Sequence, residues 1–489
     1  MGREEQIVSE RLRKLRELRE AGINPYPDKF GKKQSCSECA GMKIGSKAVT
    51  AGRLMSKRDL GKIVFCVLKD FSGKIQVVIQ EGGTPDKERE LFGKYIDSGD
   101  FVGISGEIIK TKTGEISILA KKIELLSKSI SPLPEKWKGL QDEEEKLRKR
   151  YLDILMNPEV QEMFVMKSKF WKAIRDFLIE KGFLEVETPA LEQSAGGAAA
   201  TPFTTRHNAL GIDVYLRISM GELWQKRLMV AGYEKTFEIG RQFRNEGMDM
   251  EHLQDYTQME FYWAYANYED GMGIVEEMYK KVASEVFGKT EFEIHGHKID
   301  LGKKWEKYDF ESTVKKYTEI NIYEAKASEI KKKLKELKVE YKDSSDKWSL
   351  VDSLWKYCRR KISGPGFLVG HPVELSPLAK RDPKNSGKVE RFQVIIAGSE
   401  IGNGYSELND PLDQEERFVE QMKQKEKGNE ESMMHDTEFV EALKYGMPPV
   451  CGFGVSERLF SFLMNKPIRE TVIFPLMKPG VKNKESKED

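Results

Sequence analysis

Three stretches of this 489-residue chain crowd arginines, carboxylates and amides onto segments bearing glycine, and those residue types suit phosphate and ammonium chemistry. In the first, Phe237–Gly247, Arg241 and Arg244 stand either side of Phe243, and Glu246 follows. Arginine serves phosphates and carboxylates because its planar fork donates two parallel hydrogen bonds and never loses its charge. With Tyr256–Tyr262 downstream, the pattern predicts two antiparallel strands joined by a long loop. In the second, Ser399–Asp410, the side chains of Glu400, Asn403, Glu407 and Asn409 surround Gly402 and Gly404, whose backbone can approach a ligand closely. The third, Cys451–Phe460, reads as a glycine strand (Gly452, Gly454) leading into a helix with Arg458 at its start. A lone Gly-x-Gly before an arginine is more often the mark of a tight packing site than of a nucleotide site.

Elements must hold these clusters in place. From 160 to 477 helical stretches (Val160–Lys181, Gly271–Phe287, Asp413–Lys427) alternate with β-rich runs (Val214–Ile218, Glu234–Ile239, Gln258–Ala264, Phe392–Ile396), an α+β pattern. Glu329–Val339 is Lys-rich and reads as a solvated helical surface. Ahead of this region, 131–159 reads as a linker that opens on Ser131-Pro132-Leu133-Pro134 and continues into a charge-dense helix, Gln141–Tyr151. Residues 48–130 hold Ile63–Leu68, Ile75–Ile79, Phe101–Ile109 and Ile116–Ala120 between turn signals, with a helix around Asp86–Tyr95. Short strands and one helix describe an OB-fold β-barrel, which binds single-stranded nucleic acid on an open face. There Phe65, Gln76 and Glu115 could supply a stacking ring, an amide and a carboxylate; by pattern alone Phe65 better suits the barrel core. Residues 1–47 comprise an amphipathic helix over 3–21 (Val8, Leu12, Leu15, Leu18) and a connector, and 478–489 is a polar tail. The helix either grips nucleic acid or packs on its own domain.

Composition agrees with a soluble globular protein whose basic end suits a polyanion. Lys and Arg total 81 against 80 Asp and Glu, but residues 1–139 carry 27 basic and 19 acidic side chains, so the excess of positive charge sits at one end. No apolar run is long enough to span a bilayer, and the charged start lacks a signal-peptide core, which predicts a cytoplasmic protein. Five cysteines make no disulfide framework; Cys36 and Cys39 are expected to be surface thiols rather than half of a zinc site.

In this order and spacing the three clusters resemble the class II aminoacyl-tRNA synthetases, most closely those of the lysyl type. The resemblance begins at Ala51-Gly52-Arg53 and runs through Gly182–Pro189, which looks like the first class II motif, and Gly196–Ala200. It takes Arg244–Glu246 as the second motif and Gly452–Arg458 as the third, and ends at Phe474-Pro475. It implies a six- to seven-stranded antiparallel catalytic sheet flanked by helices, an N-terminal barrel that reads the anticodon of tRNA(Lys), and a homodimer. It also implies the reaction: L-lysine and ATP give lysyl-adenylate, and a terminal ribose hydroxyl of the tRNA takes the lysyl group.

Position by position, the resemblance makes Arg244 and Arg458 the catalytic arginines, on the α- and γ-phosphates respectively. Glu246 would bind the adenine amino group, Tyr256 and Arg458 would cover the two adenine faces, and His252 would lie near the phosphates. Glu407 and Tyr262 would hold the lysine ε-ammonium, Glu222 and Glu260 the α-amino end, and Asn403 with Arg244 the carboxylate, with Gly196 a further lysine contact. An ammonium needs carboxylate and hydroxyl acceptors, which argues against the related aspartyl and asparaginyl enzymes. Glu400 corresponds to a Mg²⁺ ligand; its usual acidic companion is here Gln393, a poorer ligand. Glu251 stands where a basic residue is common. Arg53, Phe65, Gln76 and Glu115 fall on positions that read the central anticodon base. A catalytically silent paralogue is the competing reading; Arg244, Glu246 and Arg458, all present, speak against it.

Overall fold

The computed structural model describes all residues except Met1, 135–141, Ala199, Met248, 343–344, 427–434 and 480–489, so all but the first two residues of the polar tail and part of the linker lie outside the described residues. The chain divides into two compact units, Met1–Met156 and Asn157–Asp489.

The first unit begins with α1 (Arg3–Glu20) and α2 (Cys36–Ala40). Then come β1 (Lys47–Asp59), β2 (Ile63–Lys69), β3 (Lys74–Gln80), α3 (Asp86–Tyr95), β4 (Phe101–Lys110) and β5 (Ile116–Ser127). The strands close into a barrel in the order β1-β2-β3-β5-β4. Side chains alternate across a strand, so Cys66 and Leu68, Ile75 and Val77, and Ile118 and Ala120 fill the interior. The α1 helix packs on its own domain: Leu15 and Leu18 are buried, and Arg11 donates to the carbonyls of Ser98 (2.7 Å) and Ser131 (2.8 Å). Cys36 and Cys39 are fully buried, which corrects the expectation of surface thiols. Ser35 caps the short α2 helix through the Glu38 N–H, and that turn sets both cysteines into the barrel core, where burial pushes the Cys36 thiol up to about 12. The unit ends with α4 (Glu143–Arg148) and α5 (Arg150–Met156).

The second unit opens with the long α6 (Pro158–Glu180), then β6 (Leu184–Glu185), β7 (Leu191–Glu192), β8 (Thr204–His207), β9 (Ile212–Leu216) and α7 (Glu222–Val230). The strands β10 (Lys235–Phe243) and β11 (Asp255–Ala264) pair antiparallel, as expected of the first cluster, and α8 (Tyr268–Phe287) follows. A hairpin, β12 (Glu291–Ile294) and β13 (His297–Asp300), leads to β14 (Glu306–Asp309), α9 (Phe310–Thr318), α10 (Ala327–Glu336) and α11 (Lys347–Arg359). After β15 (Gly366–Val369) and the short β16 (Arg381–Asp382) and β17 (Asn385–Val389) come β18 (Arg391–Ile396) and β19 (Ser399–Ser406). Helices α12 (Pro411–Glu426) and α13 (Thr437–Lys444) precede β20 (Val450–Ser456) and α14 (Arg458–Leu463).

Eight strands form the main sheet, in the order β14-β15-β18-β19-β20-β11-β10-β6. Its centre is antiparallel, whereas the edge pairs β14/β15 and β6/β10 run parallel, so the sheet is one strand larger than expected and mixed at its margins. One face is packed: Phe237, Met259, Phe261, Phe392 and Phe453 meet Phe170 and Phe177 of α6 and Val275 and Tyr279 of α8. The rings of Phe392 and Phe453 stack at 5.7 Å with their planes 1° apart. Full burial of each such side chain is worth about 1.5–3 kcal/mol, which fixes the strand order and leaves the alternate residues on the other face. The Lys-rich α10 is less solvated than expected, since Ile330 and Leu334, four residues apart, pack fully buried against Leu350, Leu354 and Trp355. Among the described residues no helix is long and apolar enough to cross a membrane.

Candidate active site

Strand register writes the site. Across the four central strands one row reads Glu260, Gly454, Asn403 and Gln393, and the row beside it Tyr262, Gly452, Tyr405 and Arg391. Because side chains two apart share a face, both rows point away from the packed aromatic layer. Gly452 and Gly454 leave the middle of each row empty, and a cavity of about 510 Å³ opens there. A Cβ at Gly452 would collide with Oε1 of Glu407 and come within 2.8 Å of the Tyr262 ring. The glycine thus lets Glu407 and Tyr262 lie against the sheet.

Three carboxylates crowd the closed end. Glu222 begins α7 just after Gly221, which holds φ +96°; Glu260 lies on β11, and Glu407 follows β19. All three are buried. Glu260 accepts from Ser219 Oγ (3.0 Å), the Met220 N–H (3.1 Å) and Gln258 Nε2 (2.6 Å). Glu222 accepts from the Tyr405 hydroxyl and faces Lys226 Nζ at 3.4 Å, and the same ammonium forms an ion pair with Glu407. Burial, together with the neighbouring Glu222 charge, pushes Glu260 up to about 7. Burial also raises Glu222 and Glu407, with Lys226 opposing it in both. The end of the cleft is therefore a compressed negative charge with one internal cation.

The open end carries two arginines. Arg244, just beyond β10, stands 5.6 Å over the Tyr256 ring, and among the described residues no carboxylate lies within 4 Å of its guanidinium. Arg458, the first residue of α14, donates to the Glu400 carbonyl at 3.1 Å and forms an ion pair with Glu251. Glu457 beside it is buried, accepts from the Thr257 N–H (3.0 Å) and pairs with Lys167 of α6, so α14 is anchored to both sheet and helix.

Comparison with known proteins matches residues 142–478 to the family described as tRNA synthetases class II (D, K and N), and residues 48–126 to the OB-fold nucleic acid binding domain. The chain belongs to the class II tRNA synthetases. Among the similar proteins are the lysine–tRNA ligases of Thermosipho africanus (42% identical over 96% of this chain and 95% of that protein) and Pelotomaculum thermopropionicum (43%, over 98% and 96%). That of Thermoanaerobacter sp. strain X514 is 44% identical over 97% and 96%.

In this synthetase the residues singled out from the sequence are brought together unevenly. Glu222, Arg244, Glu260, Tyr262, Gln393, Glu400, Asn403, Glu407 and Arg458 all line the one cavity. Gly196 does not; it is buried beneath the lining Gly197, where a Cβ would come within 2.6 Å of Leu223. Asn403 is already engaged by Arg391 Nε at 2.8 Å. Glu246 is exposed and accepts from the Thr201 N–H at 3.3 Å. Tyr256 is buried beneath Arg244 beside Leu253 and Ile468, and does not face the cavity. His252 is exposed, outside the lining, with Nδ1 2.8 Å from Asp249.

Gln393 is held at both ends of its amide. Its Nε2 donates to Glu400 at 3.0 Å, and its Oε1 accepts from His371 Nε2 at 2.9 Å, an imidazole that burial keeps neutral. The other oxygen of Glu400 accepts from Trp355 Nε1 at 2.5 Å. Each Glu400 oxygen retains a lone pair, so this carboxylate suits a cation that arrives with its own phosphate ligands. Among the described residues no group of three or more His, Cys, Asp and Glu is placed to hold a metal ion by itself.

Sequence reasoning missed Lys226, Arg391, Ser219, Trp355 and His371. Lys226 lies four residues after Glu222 on one helix, a spacing that places both on one face; the other four carry no such signal.

On the barrel, Phe65, Val67 and Gln76 share the outer face through the β2/β3 register, and Arg53 joins them across from Lys69. Phe65 is half-buried and outside the core cluster, so the core reading of this ring does not hold. Arg53 lies 4.2 Å from the Phe101 ring centroid, and Gln76 Nε2 donates to Glu115 at 2.8 Å.

Proposed function

We propose that this synthetase is a lysine–tRNA ligase. One observation carries the reading: three buried carboxylates and two tyrosines close a cleft whose mouth holds two arginines. Such an end suits a substrate with two ammonium groups, and an aspartate side chain there would face repulsion. The names of the similar proteins agree.

A lysine carboxylate oxygen attacks the α-phosphorus of ATP; the new P–O bond forms as the bond to pyrophosphate breaks. Arg244 holds the carboxylate and the α-phosphate together, and Arg458 takes the γ-phosphate. Mg²⁺ comes as part of the ATP substrate and neutralises charge on its phosphates, with Glu400 as its protein contact. Glu246 and Tyr256 serve adenine, and His252 reaches the phosphates only if its loop moves. Glu407 with Tyr262 holds the ε-ammonium, Glu222 and Glu260 the α-ammonium, with Gly196 underpinning that wall and Asn403 near the carboxylate. The 3′-hydroxyl of the tRNA's terminal adenosine then attacks the lysyl carbonyl carbon, and AMP leaves. Residues 48–130 read the tRNA(Lys) anticodon through Arg53, Phe65, Gln76 and Glu115, and 160–477 carry the catalysis. The working form is a cytoplasmic homodimer.

Lysine-dependent exchange of pyrophosphate into ATP, compared with aspartate, asparagine and no amino acid, tests this. Exchange with lysine alone is expected; exchange with none, in folded protein that binds ATP, would overturn it.

A further inference from the structure

The most confined charge in the second unit is not a substrate contact. Lys226 is fully buried and does not line the cavity. Its stem rises from α7, and its ammonium sits 5.7 Å from the Tyr405 ring centroid and 5.6 Å from that of Phe439. The ion pair with Glu407 is made through Oε2, whereas Oε1 is the oxygen aimed over Gly452. The ammonium thus divides the carboxylate, one oxygen tied to the helix behind it and one presented to the cavity. The second contact, to Glu222, braces the other carboxylate of the closed end from behind.

We propose that Lys226 is a positioning residue for amino-acid recognition: a resident ammonium that ties down one oxygen of Glu407 and aims the other at the substrate's ε-ammonium. This rests on the lysine-ligase reading above. The charges fit it. Once lysine draws all three carboxylates into their ionised form, Glu222, Glu260 and Glu407 set against one resident cation give two negative charges for the two ammonium groups. Also facing this end are the hydroxyls of Tyr262 on β11 and Tyr405 on β19, the Cys451 thiol on β20, and Arg391 on β18, whose charge is offset by Glu400. Without Lys226 three carboxylates would crowd one apolar-walled end with nothing to aim the Glu407 oxygens, and Glu407 would hold its proton to still higher pH.

The test is Lys226→Met, which keeps the stem and removes the charge. Cooperative melting is checked first, then lysine Kd by calorimetry and ATP KM by exchange, each between pH 6.5 and 8.5. The expected result is a lysine Kd at least tenfold weaker at pH 7 and partly restored at pH 8.5, with ATP KM within twofold of the parent. A folded variant with the parent's lysine Kd at pH 7, or one that loses lysine and ATP alike at every pH, would overturn the proposal. If Lys226→Met does not melt cooperatively, Lys226→Gln carries the same expected and overturning results. Failure of the unmodified protein to bind lysine would instead remove the ligase reading, so the two failures are distinguishable.

Discussion

Arg458 of the third motif is not free to meet a phosphate: one arm of its guanidinium forms an ion pair with Glu251, and the other donates to the Glu400 carbonyl at 3.1 Å. Glu251 comes from the loop between β10 and β11, and Ser399 Oγ lies 3.4 Å from its other oxygen. An internal carboxylate therefore stands where the proposed γ-phosphate contact would form, and ATP must displace it. In Glu251→Gln the charge-assisted bond becomes a neutral one, weaker by about 1 kcal/mol, so ATP KM should fall about fivefold. The ATP dependence of lysine-driven pyrophosphate exchange measures this. An unchanged KM would remove Glu251 as a competitor, and a raised one would make it a contact for the Mg²⁺ of ATP.

Proton uptake by the empty pocket gives a second expectation. Glu260 sits near 7 in the unliganded protein, well above its unfolded range, because burial and Glu222 penalise its charge. A raised carboxylate contributes stability that is fully present at low pH and is lost as pH rises through about 7. The two ammonium groups of lysine select the ionised form, so lysine binds more tightly as pH climbs from 6 to 8. Differential scanning calorimetry should show a larger lysine-induced rise in Tm at pH 8 than at pH 6. Glu260→Gln should flatten the difference; a shift equal at both values in the parent protein would sink the idea.

Gly452 tests the register of the third motif. A methyl group there would strike Glu407 Oε1 and crowd Tyr262, while the backbone has no need of a left-handed φ, so the effect is steric alone. Overpacking of this kind costs about 1–3 kcal/mol, and in Gly452→Ala the lysine KM should rise roughly ten- to hundredfold. ATP KM should change little, because Arg244 and Arg458 lie at the other end. Equal damage to both constants would mean that the substitution disturbs the sheet rather than the pocket.

Much of this was legible in the sequence wherever periodicity and punctuation agreed. Alternating Gly452, Gly454 and Ser456 with intervening Phe453 and Val455 already describes a strand with one bare face and one packed face, which is how β20 sits. The carboxylates were legible by type. What was not legible is how each is already satisfied. Lys226 looks like any surface lysine until α7 is pressed against Tyr405 and Phe439, and nothing in the sequence around Gln393 tells that His371, 22 residues earlier, holds its oxygen. Cys36 and Cys39 misled for the same reason: a five-residue helix has too few positions to show which face is buried. Long-range packing decided each case.

The barrel makes a prediction that separates its task from that of the second unit. Phe65 stands half-buried on an outer face shared with Val67 and Gln76, and a ring so placed offers its plane to an unpaired base. Stacking of one base on an aromatic side chain is worth about 1–3 kcal/mol, so Phe65→Ala should raise the tRNA KM for aminoacylation roughly five- to hundredfold. Because Phe65 lies outside the core cluster of its barrel, the variant should melt within a few degrees of the parent, about what a loss under 1 kcal/mol produces in a domain of this size. Lysine-dependent pyrophosphate exchange without tRNA should be unaltered, since that step needs only the cleft around Arg244 and Glu407. Unchanged tRNA charging would remove Phe65 from the anticodon contact and leave the outer face of β2 and β3 without a stacking ring.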